Sequence, residues 1–116
     1  MAYEDVKILL HGRNRKKFSN NTYLYTDEDW DGSEQIVMKL HEHPIAIFTK
    51  NYVALSACNW YTNTTKDRLN VALQIARTPL CVFQKHFRWY IRNHERNTDY
   101  LFFTGIKVNY DGTIRI

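Results

Sequence analysis

The sequence predicts an α+β fold: an antiparallel sheet of about six to eight short strands, one main helix over about residues 65–77 packed on one face, and a short helix before the first strand. Short segments that alternate apolar and polar residues recur along most of the chain. One stretch departs from that rhythm, with Leu69, Ala72, Leu73 and Ala76 repeating at helical spacing. Turn-forming residues separate the alternating segments at hairpin length, which favours antiparallel neighbours over crossover connections.

Taken in order, Tyr3, Val6, Leu9 and Leu10 stand at helical spacing and Gly12 is a stop signal, so residues 3–10 read as the short helix. Arg13, Arg15, Lys16 and Lys17 form a basic run, and Asp27, Glu28, Asp29, Asp31 and Glu34 an acidic one. Both read as solvated loops, since like charges crowded together stay in water. Between them Thr22 to Thr26 is rich in β-formers, and Asp31-Gly32 marks a turn. Ile36, Met38 and Leu40 give a strand with one strongly apolar face. The run His41-Glu42-His43-Pro44 interrupts it, because proline cannot donate to a central ladder. Ile45 to Phe48 is the next strand, Asn51-Tyr52 a turn, and Val53 to Trp60 a third strand.

The main helix is capped by Thr64 or Thr65, buries the stripe of leucines and alanines, and turns Lys66, Asn70, Gln74 and Arg77 to solvent. Thr78-Pro79 ends it. Leu80 to Lys85, Phe87 to Arg92 and Tyr100 to Tyr110 read as strands, with turns near His86 and across residues 93–99. Asp111-Gly112 closes a hairpin into Thr113 to Ile116. One helix on one face leaves the other face of the sheet wet or open to a partner.

A chain of 116 residues with 44% apolar and 15% aromatic content is expected to be a single domain with a full core. No window has the ~18 consecutive apolar residues of a membrane span. The acidic start, Met1 to Asp5, lacks the apolar segment of a secretory signal, so the expected compartment is the cytoplasm. Cys58 and Cys81 are then free thiols on apolar strands rather than a disulfide framework, and the triplets beginning at Asn20 and Asn63 are not glycosylation sites. The net charge of +4 favours encounters with polyanions.

The most unusual segment is Trp60 to Asn70. It brings Thr62, Thr64, Thr65, Lys66, Arg68 and Asn70 to the start of a helix, where unpaired N–H groups attract anions. It lacks the glycines of a phosphate-wrapping loop, so it is not a Walker loop, and no cofactor is expected. Arg68 falls on the flank of the apolar stripe and must pair with a carboxylate, with Asp27 to Glu34 the expected source, or meet a ligand. His41 and His43 could share a strand face, but Pro44 bends the chain and no third ligand follows by spacing, so no metal is expected. Aromatics at Trp60, Tyr61, Phe87, Trp89 and Tyr90 stand near Lys85, Arg88 and Arg92, a combination that stacks bases and holds phosphates. Within it Phe87, Trp89 and Ile91 alternate as core residues should.

These residues also carry a resemblance. Asn20 to Tyr23, Leu40-His41, the long Trp60 to Asn70 signature and Trp89 together resemble a group of small tailed-bacteriophage proteins, over about residues 15–116. The resemblance implies a viral origin and a host-cytoplasmic setting, and it implies no activity. The chain departs from that pattern at Cys58-Asn59, where relatives tend to have Gly-Gly or Ala-Gly, and at Glu42-His43 after the histidine.

The expected function is that of a non-enzymatic binding protein. Trp60, Thr62, Thr64, Thr65, Lys66, Arg68, Asn70, His41 and Trp89 would hold nucleic acid or a nucleotide, and Arg13, Arg15, Lys16 and Lys17 would add a basic arm. The competing readings are a protein inhibitor of a host enzyme or defence complex, with a homodimer through an exposed sheet face as one form of it, and a small hydrolase or nuclease.

Overall fold

The computed structural model describes residues 2–115. In chain order it contains α1 (Ala2–Ile8), β1 (Arg15–Ser19), β2 (Thr22–Glu28), β3 (Glu34–Leu40), β4 (His43–Phe48) and β5 (Tyr52–Leu55). There follow α2 (Asn63–Ile75), β6 (Leu80–Lys85), β7 (Arg88–Asn93), β8 (Thr98–Leu101), β9 (Ile106–Asn109) and β10 (Ile114–Arg115). The fold is α+β and each strand pair is antiparallel, as the alternation predicts. The strands divide between two sheets, one of seven in the order β1-β2-β3-β4-β5-β9-β10 and one of three in the order β6-β7-β8. The expected strand over residues 100–110 is broken to allow this. Phe102 N–H donates to Trp89 O at 3.0 Å in the small sheet, and Gly105 N–H donates to Leu55 O at 2.8 Å in the large one.

Arg15, Lys16 and Lys17 of the basic run lie in the edge strand β1 rather than in a loop, with Arg13 ahead of it. Its register sets Arg15 opposite Tyr25 and Lys17 opposite Tyr23, so long cationic stems lie beside aromatic rings, and charge on an edge discourages stray pairing. Pro44 lies inside β4, opposite Lys39. A bulge accommodates it: Met38 pairs with Ala46 and Lys39 with Pro44, which leaves Ile45 as the extra residue. The hairpin turn is His41-Glu42, with both residues at positive φ (50° and 68°). The third strand stops at Leu55, short of the expected Trp60. Cys58 and Asn59 hold φ of 51° and 64° in a turn that Trp60 N–H closes onto Ala57 O at 2.8 Å. Glycine adopts this conformation without strain.

Helix α2 begins before the expected residue. Thr62 is its N-cap, and the Thr62 hydroxyl accepts from Thr65 N–H at 3.2 Å. At the other end Arg77 takes φ 57° just past the helix, and Thr78 N–H reaches Leu73 O at 3.1 Å. This is the left-handed stop usually made by glycine, here made by an arginine.

Leu69, Ala72, Leu73 and Ala76 are fully buried, as the helical spacing predicts. They share one apolar cluster with Tyr3 and Val6 of α1, Leu24, Met38, Phe48, Val53 and Val108 of the large sheet, and Val82, Trp89 and Ile91 of the small one. Helix α1 is pinned where Tyr3 donates to Glu34 at 2.8 Å and Lys7 pairs with the same carboxylate at 3.1 Å. The Tyr3 hydrogen bond, then that of Lys7, holds the Glu34 carboxyl below its usual range. The β9–β10 turn docks on the small sheet through Gly112, where a Cβ would come within 2.7 Å of Pro79 Cγ. Among the described residues no helix is long and apolar enough to cross a membrane.

Candidate functional site

The start of α2 gathers the residues that the sequence singles out, and most of them have partners inside the fold. Thr62 and Thr65 bond each other, Oγ1 to Oγ1 at 3.0 Å, and Thr65 is buried. Arg68 does not reach the acidic run. Its Nε donates to the Thr22 hydroxyl at 2.9 Å, and its other partner is the adjacent Asp67. Thr22 is itself fully buried and donates to Asn20 O at 2.9 Å. Asn70, expected on the wet face, instead bonds β6: Nδ2 donates to Val82 O at 3.0 Å, and Oδ1 accepts from Val82 N–H at 2.6 Å. Thr64 is exposed and Lys66 partly so. Of the six candidates Thr62, Thr64, Thr65, Lys66, Arg68 and Asn70, four (Thr62, Thr65, Arg68 and Asn70) thus organise the fold around the helix start.

These contacts separate Arg68 from Lys66 by experiment. Arg68→Ala is expected to lower stability by about 1.5–3 kcal/mol, since it removes a charged hydrogen bond to a buried hydroxyl. Lys66→Ala should stay within about ±0.5 kcal/mol. Urea denaturation of the two variants beside the wild type measures the difference, and equal midpoints would remove the structural role given to Arg68.

The aromatic residues fall into two groups on either side of the same loop. Trp60 meets His43 at 4.9 Å and His41 at 6.4 Å between ring centroids. Tyr61 turns the other way, to an edge contact of 5.0 Å with Trp89, which continues to Phe102 at 5.8 Å. Trp89 and Ile91 are core, as their alternation predicts. Phe87 is not, being 96% exposed at the tip of the β6–β7 hairpin with φ 65°. The alternation ends one residue earlier because His86-Phe87 is the turn itself. Tyr61, Gln84, Phe87, Arg88, Trp89, Leu101 and Phe102 border a groove of about 530 Å³.

A third arrangement lies on the face of the seven-stranded sheet turned away from the core. One row runs across all its strands: Arg15, Tyr25, Val37, Ile47, Ala54, Lys107 and Arg115. Beside it Lys17, Tyr23 and Lys39 form a second row. Tyr52 stands two residues from Ala54 on the same face. The three tyrosines each lie under cations. Arg15 is 4.5 Å from the Tyr23 centroid, Lys39 is 4.9 Å from Tyr25, and Lys107 and Arg115 are 5.0 and 4.8 Å from Tyr52. Arg15, Tyr23, Tyr25, Lys39 and Glu42 enclose a depression of about 170 Å³. The face therefore has an apolar and aromatic middle with basic flanks, and Asp27 and Glu42 are its carboxylates.

Of the predicted basic arm, Arg15 and Lys17 stand on this face, Lys16 points to the opposite side of β1, and Arg13 precedes the strand. Tyr23, Tyr25, Lys39, Tyr52, Lys107 and Arg115 are not among the residues the sequence singles out. Period-2 alternation marks each of them as outward-facing within its own strand, but nothing in the sequence aligns β2 with β3 or β5 with β9.

Cys58 and Cys81 are free and half-buried, with Cys81 on β6 and Cys58 in the turn after β5 rather than on a strand. Cys58 donates to Pro44 O at 3.0 Å, and Cys81 lies 3.1 Å from His94 Nε2. Burial pushes the Cys81 thiol up, which works against a thiolate nucleophile. Among the described residues no group of three histidine, cysteine or acidic side chains could hold a metal ion.

Comparison with known proteins gives one match. The family model described as Kyanoviridae Gp96 protein covers residues 2–109. No curated protein and no solved structure matches the chain.

Proposed function

The chain belongs to the Kyanoviridae Gp96 family, a bacteriophage protein family, and on that premise we propose that it is a non-enzymatic nucleic-acid-binding protein that works through the open face of its seven-stranded sheet. The observation that carries this reading is the pairing of Tyr23, Tyr25 and Tyr52 with Arg15, Lys39, Lys107 and Arg115 on one solvent-facing surface. Cations beside aromatic rings supply both contacts that a nucleic acid offers, phosphate and base face. The net charge of +4 adds long-range attraction to a polyanion. The start of α2 lies on the core side of the large sheet and takes no part in this reading, and Thr62, Thr65, Arg68 and Asn70 already have partners inside the fold.

The test is retention of a labelled oligonucleotide by wild type and by a Lys39→Gln, Lys107→Gln, Arg115→Gln triple variant. Wild-type binding is expected to weaken steeply between about 50 and 200 mM salt, because each neutralised phosphate releases counterions. The triple variant should lose most of its affinity while melting as the wild type does, since these side chains are at the surface. No binding by the wild type at low salt would overturn the reading.

A second reading, a host-protein partner, is favoured by one observation. Phe87 projects from a hairpin tip and borders the same groove as Tyr61 and Leu101, all more than half exposed. Large apolar anchors of this kind are hot spots of protein interfaces. Affinity purification from infected cells, with and without nuclease, separates the two: a partner that survives nuclease and high salt supports the second.

A further inference from the structure

We propose that the open sheet face selects single-stranded nucleic acid, with unstacked bases lying on Tyr23, Tyr25 and Tyr52 and the backbone following the cations at either flank. This rests on the nucleic-acid reading above and narrows it to one substrate class. Tyr23 and Tyr25 are two residues apart on β2, which places them roughly 6.7 Å apart along the strand. Stacked bases in a duplex are separated by about 3.4 Å, half that distance. Neighbouring bases that each meet one of these rings must therefore come apart, which a duplex resists and a single strand allows.

The middle of the face points the same way. Ile47 and Ala54, both half-buried, stand in the row between Tyr25 and Lys107, where Val37 is buried beneath its neighbours. A duplex shows a flat surface its phosphates and groove edges, which gain nothing from aliphatic side chains. Base faces do gain from them, and they are covered in a duplex and open in a single strand. Seven strands at ~4.8 Å spacing span about 29 Å, room for several extended nucleotides between Arg15 on β1 and Arg115 on β10. The cations now over the tyrosine rings have long stems, so each can turn toward a phosphate as a base takes its place or sandwiches it against the ring. Glu42 at the Tyr23–Tyr25 depression and Asp27 at the end of β2 repel backbone phosphate and leave that part of the face to bases.

The experiment is fluorescence anisotropy of a labelled 15-nucleotide thymidine oligomer, a uridine oligomer of equal length and a 15-base-pair duplex, each titrated with the full-length protein at several salt concentrations. Single strands should bind at least tenfold tighter than the duplex, and the two single-stranded arms show whether the sugar matters. Tyr25→Leu and Tyr52→Leu should each weaken single-strand binding by about 5- to 150-fold, the range seen when one stacking platform is removed. Their salt slopes should stay as in the wild type. Tyr25→Phe, which keeps the ring, should bind as the wild type does. Lys107→Ala with Arg115→Ala should instead reduce the slope by about 1.4, at about 0.7 for each phosphate no longer neutralised. Equal wild-type affinity for duplex and single strand, with the normal salt slope, overturns the single-strand assignment and leaves the broader reading standing. That comparison needs no variant, so it decides the matter even if a leucine variant fails to fold. Absence of binding to all three probes overturns both.

Discussion

Leu69→Asp is expected to unfold the protein at room temperature. Leu69 heads the apolar stripe of α2 and has no exposed surface. The helix lies there against β3, β4 and β6, so the side chain is enclosed from both sheets. Truncating a buried leucine costs about 2–5 kcal/mol in lost transfer energy and cavity. A carboxylate at the same point adds several kcal/mol more, whether it stays charged without a partner or takes up a proton. Together these approach the ~5–15 kcal/mol that holds a domain of this size together. Circular dichroism should show loss of cooperative melting, whereas Lys66→Ala on the outer side of the first turn should melt as the wild type does. Equal shifts in the two variants would mean that the faces of α2 are assigned wrongly.

That helix is legible in the sequence because its signal is local. Leu69, Ala72, Leu73 and Ala76 lie within one segment, and a helix needs no information from elsewhere in the chain to set its faces. The antiparallel strands are legible for the same reason, from alternation within each. What cannot be read depends on distant segments. Most of the basic run becomes a strand because β2 offers Tyr23 and Tyr25 to its long side chains, and like charge alone argues for a loop. Pro44 fits in a strand because the bulge with β3 excuses its missing N–H. The cap falls on Thr62 rather than Thr64 or Thr65 because three threonines in four residues leave local preference undecided.

The candidate site shows the same division. Thr62 to Asn70 draws attention because polar and cationic residues crowd one helix start, and crowding is visible in sequence. The open face is scattered over six strands, with Arg15, Tyr25, Lys39, Tyr52, Lys107 and Arg115 each on a different one. Only cross-strand register gathers them, and register is set by the bulge at Ile45 and by turn geometry. The expectation of a core Phe87 fails for a related reason. An aromatic in the left-handed region of a turn goes against its own preference, so alternation outweighs the turn when the sequence is read alone.

Asn70→Leu is expected to cost about 2–4 kcal/mol, although the residue lies on the side of α2 that the sequence assigns to solvent. The reason is the open edge of the small sheet. Among the described residues β6 pairs with β7 alone, so on its other side the backbone groups of Val82 need partners. Val82 is 3% exposed, and water reaches that edge poorly. The Asn70 amide supplies both partners at once, accepting from Val82 N–H at 2.6 Å and donating to Val82 O at 3.0 Å. It thereby stands in for one residue of a further strand and fastens the helix to the sheet. Leucine keeps the branched skeleton of asparagine but carries bulkier methyl groups, so the change leaves no cavity and adds crowding against Val82 to the loss of the two hydrogen bonds. Each buried backbone group left alone costs about 1–3 kcal/mol, and burial of the added methyl groups offsets part of the sum. Gln74→Leu, one turn further along the same side and exposed, is the control and should fall within about ±0.5 kcal/mol. Chemical denaturation compares the two stabilities, and hydrogen exchange at the Val82 amide reports the edge directly. Exchange there should quicken in Asn70→Leu by more than the global loss of stability explains. If Asn70→Leu is no less stable than Gln74→Leu, the amide does not close the sheet edge, and the link between α2 and β6 rests on apolar packing alone.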